Sequence, residues 1–181
     1  MISYLILMKK IGILLLTILI ATLLAGIYGA LHDQITFTIS SEYFTIFKFE
    51  QFGFLDWGNN NPRLTTALIG FLATWWVGFY IGIIQGLVGL IHKTPRRMFK
   101  YVFNSILITL GIAVLFGVFG GIIEILTGKA DPICFPYEIH NCKNFFIVGS
   151  IHNYGYLGGV IGAVVGLVYQ VYKKYTTKSI T

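Results

Sequence analysis

Apolar residues along this chain fall into four long runs, and the segments between them carry most of the charged residues. The runs cover residues 11–31, 64–91, 101–126 and 152–172. A helix rises about 1.5 Å per residue and the hydrocarbon core of a bilayer is about 30 Å thick, so each run is long enough to cross a membrane. We therefore predict an all-α integral membrane protein. Residues 1–181 would form a single membrane domain, a four-transmembrane-helix bundle.

Two longer segments, residues 32–63 and 127–151, connect the first span to the second and the third to the fourth. Within the first of them, residues 34–40 alternate polar and apolar side chains, which is the period of a half-buried strand. Ser40 and Ser41 could cap a short helix over residues 42–51, which is rich in aromatic residues. We expect this strand and helix to lie in the membrane interface, over the outer mouth of the bundle.

Basic residues indicate how the spans are oriented. Nine of the 13 Lys and Arg residues lie in three clusters: Lys9 and Lys10; Lys93, Arg96, Arg97 and Lys100; and Lys173, Lys174 and Lys178. Four spans place all three clusters on one side, which the positive-inside rule assigns to the cytoplasm together with both termini. The net charge of +6 is then explained by helix ends that contact anionic membrane lipid, and we expect no nucleic-acid partner.

The first span resembles a signal peptide, because Lys9 and Lys10 precede an apolar run. The small-residue arrangement of a cleavage site is missing, since the best candidate, Tyr28-Gly29-Ala30, has a tyrosine where a small side chain is needed. We expect an uncleaved span, in the cytoplasmic (inner) membrane. Met8 is an alternative start to Met1.

Glycines recur at helical spacing in three spans and predict the faces on which helices approach closely. The second span carries Gly78, Gly82 and Gly86, and the third Gly117, Gly120 and Gly121. The fourth carries Gly155, Gly159, Gly162 and Gly166, which we expect to form one packing face. Gln85 shares the second span's glycine face, where we expect it to bond across helices.

Four ionisable residues near the outer ends of the spans are the candidate site: His32, Asp33, Glu124 and His152. Two imidazoles with carboxylates are ligands for a divalent metal ion, so a metal cofactor is one interpretation. A structural hydrogen-bond and ion-pair network is a second, in which His152 caps its helix and Glu124 pairs with Arg63. Handling of a substrate or proton is a third.

The second outer segment contains both cysteines, Cys134 and Cys142. A disulfide between them is favoured over a metal pair, because thiolate zinc sites usually have closer spacing. His140 in the same segment could join the outer cluster, whereas His92 lies beside Lys93 on the cytoplasmic side.

Two stretches carry a resemblance. Residues 32–52, HDQITFTISSEYFTIFKFEQF, and residues 151–159, IHNYGYLGG, resemble a family of small multi-span bacterial membrane proteins of uncharacterised function. The resemblance implies a bacterial multi-pass membrane protein and no particular activity.

No nucleotide-binding, serine-hydrolase or zinc-protease motif occurs in the sequence. The function predicted from the sequence is therefore non-enzymatic: binding of a ligand, metal or partner at the outer face. A membrane enzyme or redox protein that uses the four candidate residues is one alternative. A subunit of an oligomeric transporter or channel, with a second copy or another membrane protein as partner, is the other.

Overall fold

A computed structural model describes residues 2–128 and 139–176 of the chain, and within these ranges it contains helices and no strand. Within the described residues, four helices are long and apolar enough to cross a membrane, as predicted. Three of them extend beyond the apolar run that predicted them at both ends, and the second, Pro62–Gly89, is shifted by two residues toward the N-terminus. The elements in chain order are α1 (Ile2–Ile39), a π-helix (Tyr43–Lys48), α2 (Phe49–Gln51), α3 (Leu55–Asn60), α4 (Pro62–Gly89), α5 (Pro95–Thr127) and α6 (Cys142–Thr176).

Proline marks the start of two of the long helices. Pro62 and Pro95 stand in the first turns of α4 and α5, where the missing N–H would have no intrahelical partner in any case. Thr94 caps α5, because its hydroxyl accepts a hydrogen bond from the backbone N–H of Arg97 at 3.3 Å.

The strand predicted over residues 34–40 is wrong, because α1 continues as a helix through Ile39. Its threonines bond back to the preceding turn: the Thr36 hydroxyl donates to the carbonyl of His32 at 3.2 Å, and the Thr38 hydroxyl to that of Gln34 at 3.0 Å. Each hydroxyl is thus satisfied within a helix, so alternation of polarity does not require a strand here.

Residues 40–61, which we call the cap segment, cover one end of the bundle, which we call the cap end. The predicted helix over 42–51 is present in part, as the π-helix followed by α2. Ser41 begins it through its backbone carbonyl, which accepts from the N–H groups of Phe44 and Thr45, and no serine side chain acts as a cap. Tyr43, Phe44 and Phe49 are buried against Ile69 and Val148 of the long helices.

The long helices form two close pairs, α1 with α4 and α5 with α6, with far fewer contacts between the pairs. In the first pair, a Cβ added at Gly82 would lie 2.9 Å from Cα of Ile18, and the Thr74 hydroxyl donates to the carbonyl of Ala25 at 2.7 Å. In the second, a Cβ at Gly162 would lie 2.8 Å from the carbonyl oxygen of Thr109. Glycine therefore allows backbone contact in both pairs.

The packing face predicted for the fourth span is only partly correct. Gly162 and Gly166 pack against α5 together with Gly158, which the predicted stripe did not include. A Cβ added at Gly155 or Gly159 would meet no heavy atom of the described chain within 4 Å. These two glycines instead line a cavity between the helix pairs.

The end opposite the cap segment, which we call the basic end, holds the two pairs together. Met98 and Val102 of α5 are buried in an apolar cluster that includes Ala21 of α1. Within the first pair, the Lys10 ammonium donates to the carbonyl of Leu90 at 3.0 Å. One turn further into the bundle, Gln85 bonds across helices as predicted, as part of a network of buried polar side chains. Gln85 donates to Thr109 at 2.8 Å and accepts from Ser105 at 2.6 Å, while Gln170 donates to Ser105 at 3.1 Å.

Candidate functional site

Three of the four predicted site residues meet at the cap end. His32 and Asp33 lie in the last turns of α1, and His152 lies in α6, antiparallel to α5. One potential ligand atom from each of the three lies within 4.8 Å of the other two. The shortest of these contacts joins His152 Nε2 to Asp33 Oδ1 at 3.1 Å, and both side chains are only 7% exposed.

Aromatic rings enclose His152 and fix the plane of its imidazole. The ring of Tyr43, from the π-helix, stacks on it with the centroids 5.0 Å apart and the planes 24° apart. The ring of His32 approaches at 5.0 Å in an edge-to-face arrangement, and Phe44 lies 6.2 Å away. The cap segment thus supplies the walls of the site, and a π-helix at such a position is frequent at functional sites.

The two ring nitrogens of His152 both face acceptors. Nδ1 lies 2.8 Å from the carbonyl oxygen of Val148, to which it donates, and Nε2 faces the Asp33 carboxylate. A neutral imidazole carries one N–H, so it can satisfy only one of these contacts. Either His152 is an imidazolium paired with Asp33, or Asp33 carries a proton, or a cation lies between Nε2 and the carboxylate.

Two tyrosines and a lysine complete the cluster. The hydroxyl of Tyr28 lies 3.3 Å from Nδ1 of His32, and the ring of Tyr156 lies 6.5 Å from that of His152. Lys48 is buried at the end of the π-helix, where its ammonium donates to Gln51 Oε1 at 2.9 Å. Burial lowers the pKa of Lys48, and the negative charge of Asp33 opposes that shift.

Glu124 is not part of this group, so the predicted set of four reduces to three among the described residues. Its helix presents Gly120 and Gly121 to Tyr154 and Ile151 of α6, so the face that carries Glu124 follows the contact between α5 and α6. His152 directly follows Ile151, and successive residues of a helix are about 100° apart, so its side chain points away from α5 and toward Asp33 of α1.

Arg63, proposed from the sequence as a partner for Glu124, bonds elsewhere. Its guanidinium donates to the carbonyl of Gln34 at 2.9 Å and to the Thr38 hydroxyl at 3.1 Å, and lies 4.5 Å from the ring centroid of Phe37. These contacts connect the end of α1 to the start of α4 and leave Glu124 half-buried near the end of α5.

The remaining predicted residues lie outside the cluster. His140 is exposed, and its backbone N–H donates to the Glu42 carboxylate at 2.8 Å. Cys142 is disulfide-bonded, and its predicted partner Cys134 lies outside the described residues. His92 is buried at the basic end, 4.8 Å from the ring of Tyr101, so its predicted separation from the cluster agrees with the structure.

The cluster closes one end of a large cavity. The cavity has a volume of about 780 Å³ and lies between the two helix pairs, with all four long helices contributing to its walls. Its walls are almost entirely apolar over the middle of the bundle, and they include Gly155 and Gly159. The polar residues at its cap end are Tyr28, His32, Asp33, Lys48, His152 and Tyr156.

Sequence reasoning missed Tyr28, Tyr43, Tyr156 and Lys48. A signal for the first and third was available, since Tyr28 precedes His32 by four residues and Tyr156 follows His152 by four, which puts each pair on one helix face. Lys48 stands apart from the three basic clusters, inside an aromatic segment. The burial of Tyr43 depends on how the cap segment folds over α6, which spacing alone does not determine.

Comparisons of the chain with protein-family models, with curated proteins and with solved structures found no significant match.

Proposed function

We propose that this protein is a multi-pass protein of a bacterial cytoplasmic membrane that binds an amphiphilic molecule. The apolar part of the ligand would occupy the cavity between the helix pairs, and its polar head would lie against the cluster at the cap end. The observation that carries this proposal is the shape of the cavity: one continuous apolar space of about 780 Å³ that ends at buried ionisable side chains. That volume is within the range of small-molecule sites, about 300–1,000 Å³.

The basic residues support one orientation in the membrane. Lys10 bonds to Leu90 at the basic end, and Lys174 contributes to the field at His92 there. Three clusters of cations at one end of four apolar helices favour a cytoplasmic position for that end. The cap end, with the exposed Trp57 and the aromatic cap segment, would then lie at the outer interface.

Selectivity in such a site must come from the polar head. Acyl chains of the bilayer are as apolar as the cavity walls, so moving a chain from lipid into the cavity yields little hydrophobic free energy. Contacts at the cap end are different, because buried polar groups discriminate strongly between ligands that can and cannot pair with them. We expect the head group to determine which molecule is bound.

Donors predominate at the cap end. The Lys48 ammonium and the hydroxyls of Tyr28 and Tyr156 can donate to a ligand, whereas Asp33, the one carboxylate among the described residues that line the cavity, already faces His152. A head that carries acceptor oxygens, such as a phosphate, carboxylate or carbonyl, complements this set.

Mass spectrometry of co-purified molecules tests the proposal. The full chain, extracted in native lipid discs, should carry an amphiphile enriched over the bulk membrane. Gly159→Leu fills open cavity space and should lose it. Gly111→Leu is the matched control, because Gly111 is exposed, has no heavy atom of the described chain within 4 Å of an added Cβ, and lies away from the cavity.

Lys48→Gln should reduce the enrichment or change the head group that is retained, because it removes the buried cation at the cap end. A lipid profile in the wild type equal to that of the bulk membrane would contradict the proposal. So would a profile that Gly159→Leu leaves unchanged.

A further inference from the structure

We propose that His32, Asp33 and His152 form a three-ligand site for a divalent transition-metal ion. Each residue contributes one ligand atom, and the three atoms lie within 4.8 Å of one another. His152 and Asp33 are buried, and His32 is half-buried beside them. Two adjacent residues of α1 and one of α6 thus meet at the end of the cavity, and the inference does not depend on which molecule fills that cavity.

The ligand types indicate the class of metal. Two imidazole nitrogens with one carboxylate oxygen suit Zn²⁺, Fe²⁺, Co²⁺ or Mn²⁺. Ca²⁺ and Mg²⁺ prefer sites built from oxygen ligands, which this group does not offer. Three protein ligands also leave a coordination position for water or for an acceptor oxygen of a bound molecule.

Hydrogen bonds around the site match those that orient metal ligands. A histidine that binds a metal usually donates its other ring N–H to a backbone carbonyl or a carboxylate. His152 does so through Nδ1, which donates to the carbonyl of Val148 at 2.8 Å, and this leaves the Nε2 lone pair directed at Asp33. The Tyr28 hydroxyl, 3.3 Å from Nδ1 of His32, can hold the second imidazole in the same way.

A metal ion also explains how His152, which carries only one N–H when neutral, can face two acceptors. With Nδ1 protonated, Nε2 and Asp33 Oδ1 present two acceptors 3.1 Å apart. A cation that binds both converts this repulsion into coordination. The competing arrangement is an imidazolium–carboxylate ion pair without metal, and the two differ in whether the site binds a cation added in solution.

Metal titration of the full chain distinguishes them. The protein is purified in detergent without a polyhistidine tag, which would itself bind these metals, and is stripped with chelator. Cobalt(II) is then added and followed by its visible absorption, and bound zinc is counted by elemental analysis after dialysis. We expect about one equivalent of either metal and a rise in Tm when it binds, since a ligand of the folded state alone stabilises it.

Variants locate the site. Asp33→Asn keeps the shape of the side chain, and His32→Ala removes the less buried imidazole; each should weaken cobalt binding by about tenfold or more. His140→Ala is the control, because His140 is exposed at the same end and outside the cluster. Gly159→Leu should still bind cobalt, so loss of the amphiphile and loss of the metal can be told apart.

Three results would overturn the inference. The first is less than about a tenth of an equivalent of metal on folded wild-type protein. The second is cobalt binding that Asp33→Asn and His32→Ala leave unchanged although both variants remain monodisperse. The third is binding that disappears in His140→Ala, which would assign the metal to the exposed loop.

Discussion

Two glycines one turn apart on α6 should respond in opposite ways to the same substitution. Gly162 packs against α5, where an added Cβ would lie 2.8 Å from the carbonyl oxygen and 2.9 Å from Cα of Thr109. Gly159 faces the cavity, where an added Cβ would meet no heavy atom of the described chain within 4 Å. We expect Gly162→Ala to destabilise the protein and Gly159→Ala to leave it as stable or more so.

The magnitude follows from the two contacts at Gly162. Ordinary contacts between carbon atoms are about 3.5–4.0 Å, so α5 and α6 must separate by roughly half an ångström or more to accept the methyl group. Overpacking of this kind costs about 1–3 kcal/mol. Alanine also favours a helix over glycine by roughly 0.5–1 kcal/mol, and that gain is common to both variants. The difference in unfolding free energy between the two variants is therefore about 1–3 kcal/mol, with Gly162→Ala the less stable.

Equilibrium unfolding in mixed micelles, with the fraction of denaturing detergent as the variable, measures this difference directly. Because the intrinsic propensity cancels between the two variants, the comparison isolates the packing term. Equal stabilities, or a less stable Gly159→Ala, would refute the assignment of these faces. The boundary of the cavity between the helix pairs would then be wrong as well.

The same unfolding assay checks three further predictions. In metal-free protein, Asp33→Asn and His152→Gln should be coupled by roughly 0.5–3 kcal/mol in a double-mutant cycle, and strict additivity would mean that the two side chains do not interact. Gln85→Ala removes two hydrogen bonds between helices and should cost roughly 1–3 kcal/mol, since such bonds in membrane proteins contribute about 0.6 kcal/mol each on average and up to about 1.7; no change would exclude a role for this network in stability. Burial, reinforced by the cations at the basic end, lowers the pKa of His92 in the folded state. Below about pH 6.5 the unfolded state therefore binds more protons than the folded state, so the unfolding free energy should fall as the pH falls. His92→Gln should flatten that dependence, and an unchanged slope would show that another group titrates.

The four long helices could be predicted from the sequence because membrane crossing depends on local properties. A run of apolar side chains about 20 residues long becomes a helix in a bilayer, since its backbone can be satisfied only internally. The ends of the helices depend on more than apolar length: the polarity pattern around Thr36 and Thr38 predicts a strand, yet their hydroxyls bond within α1, which continues through both residues. A side chain that can satisfy itself in either conformation gives no local signal about which one forms.

The candidate site could be predicted in part, because an ionisable residue in an apolar helix is also a local signal. His32, Asp33 and His152 are ionisable residues in apolar helices, and such residues are rare enough that each one by itself indicates a candidate site. Glu124 meets the same criterion, but only the rotation of α5 against α6 shows that it lies outside the group formed by the other three. That rotation depends on backbone contacts such as the one at Gly162, and these involve residues far apart in the chain.

Only the tertiary structure determined that the two helix pairs stand apart around a cavity. Gly155 and Gly159 look the same in sequence as Gly162 and Gly166, because all four have the spacing of a packing face. Glycine permits close approach but does not require it, so the same residue lines open space at one turn and backbone contact at the next. The cap segment holds the pairs together at one level, and the network of buried polar side chains around Gln85 does so at another. The apolar space between these two levels follows from the way the helices pack and not from any local sequence pattern.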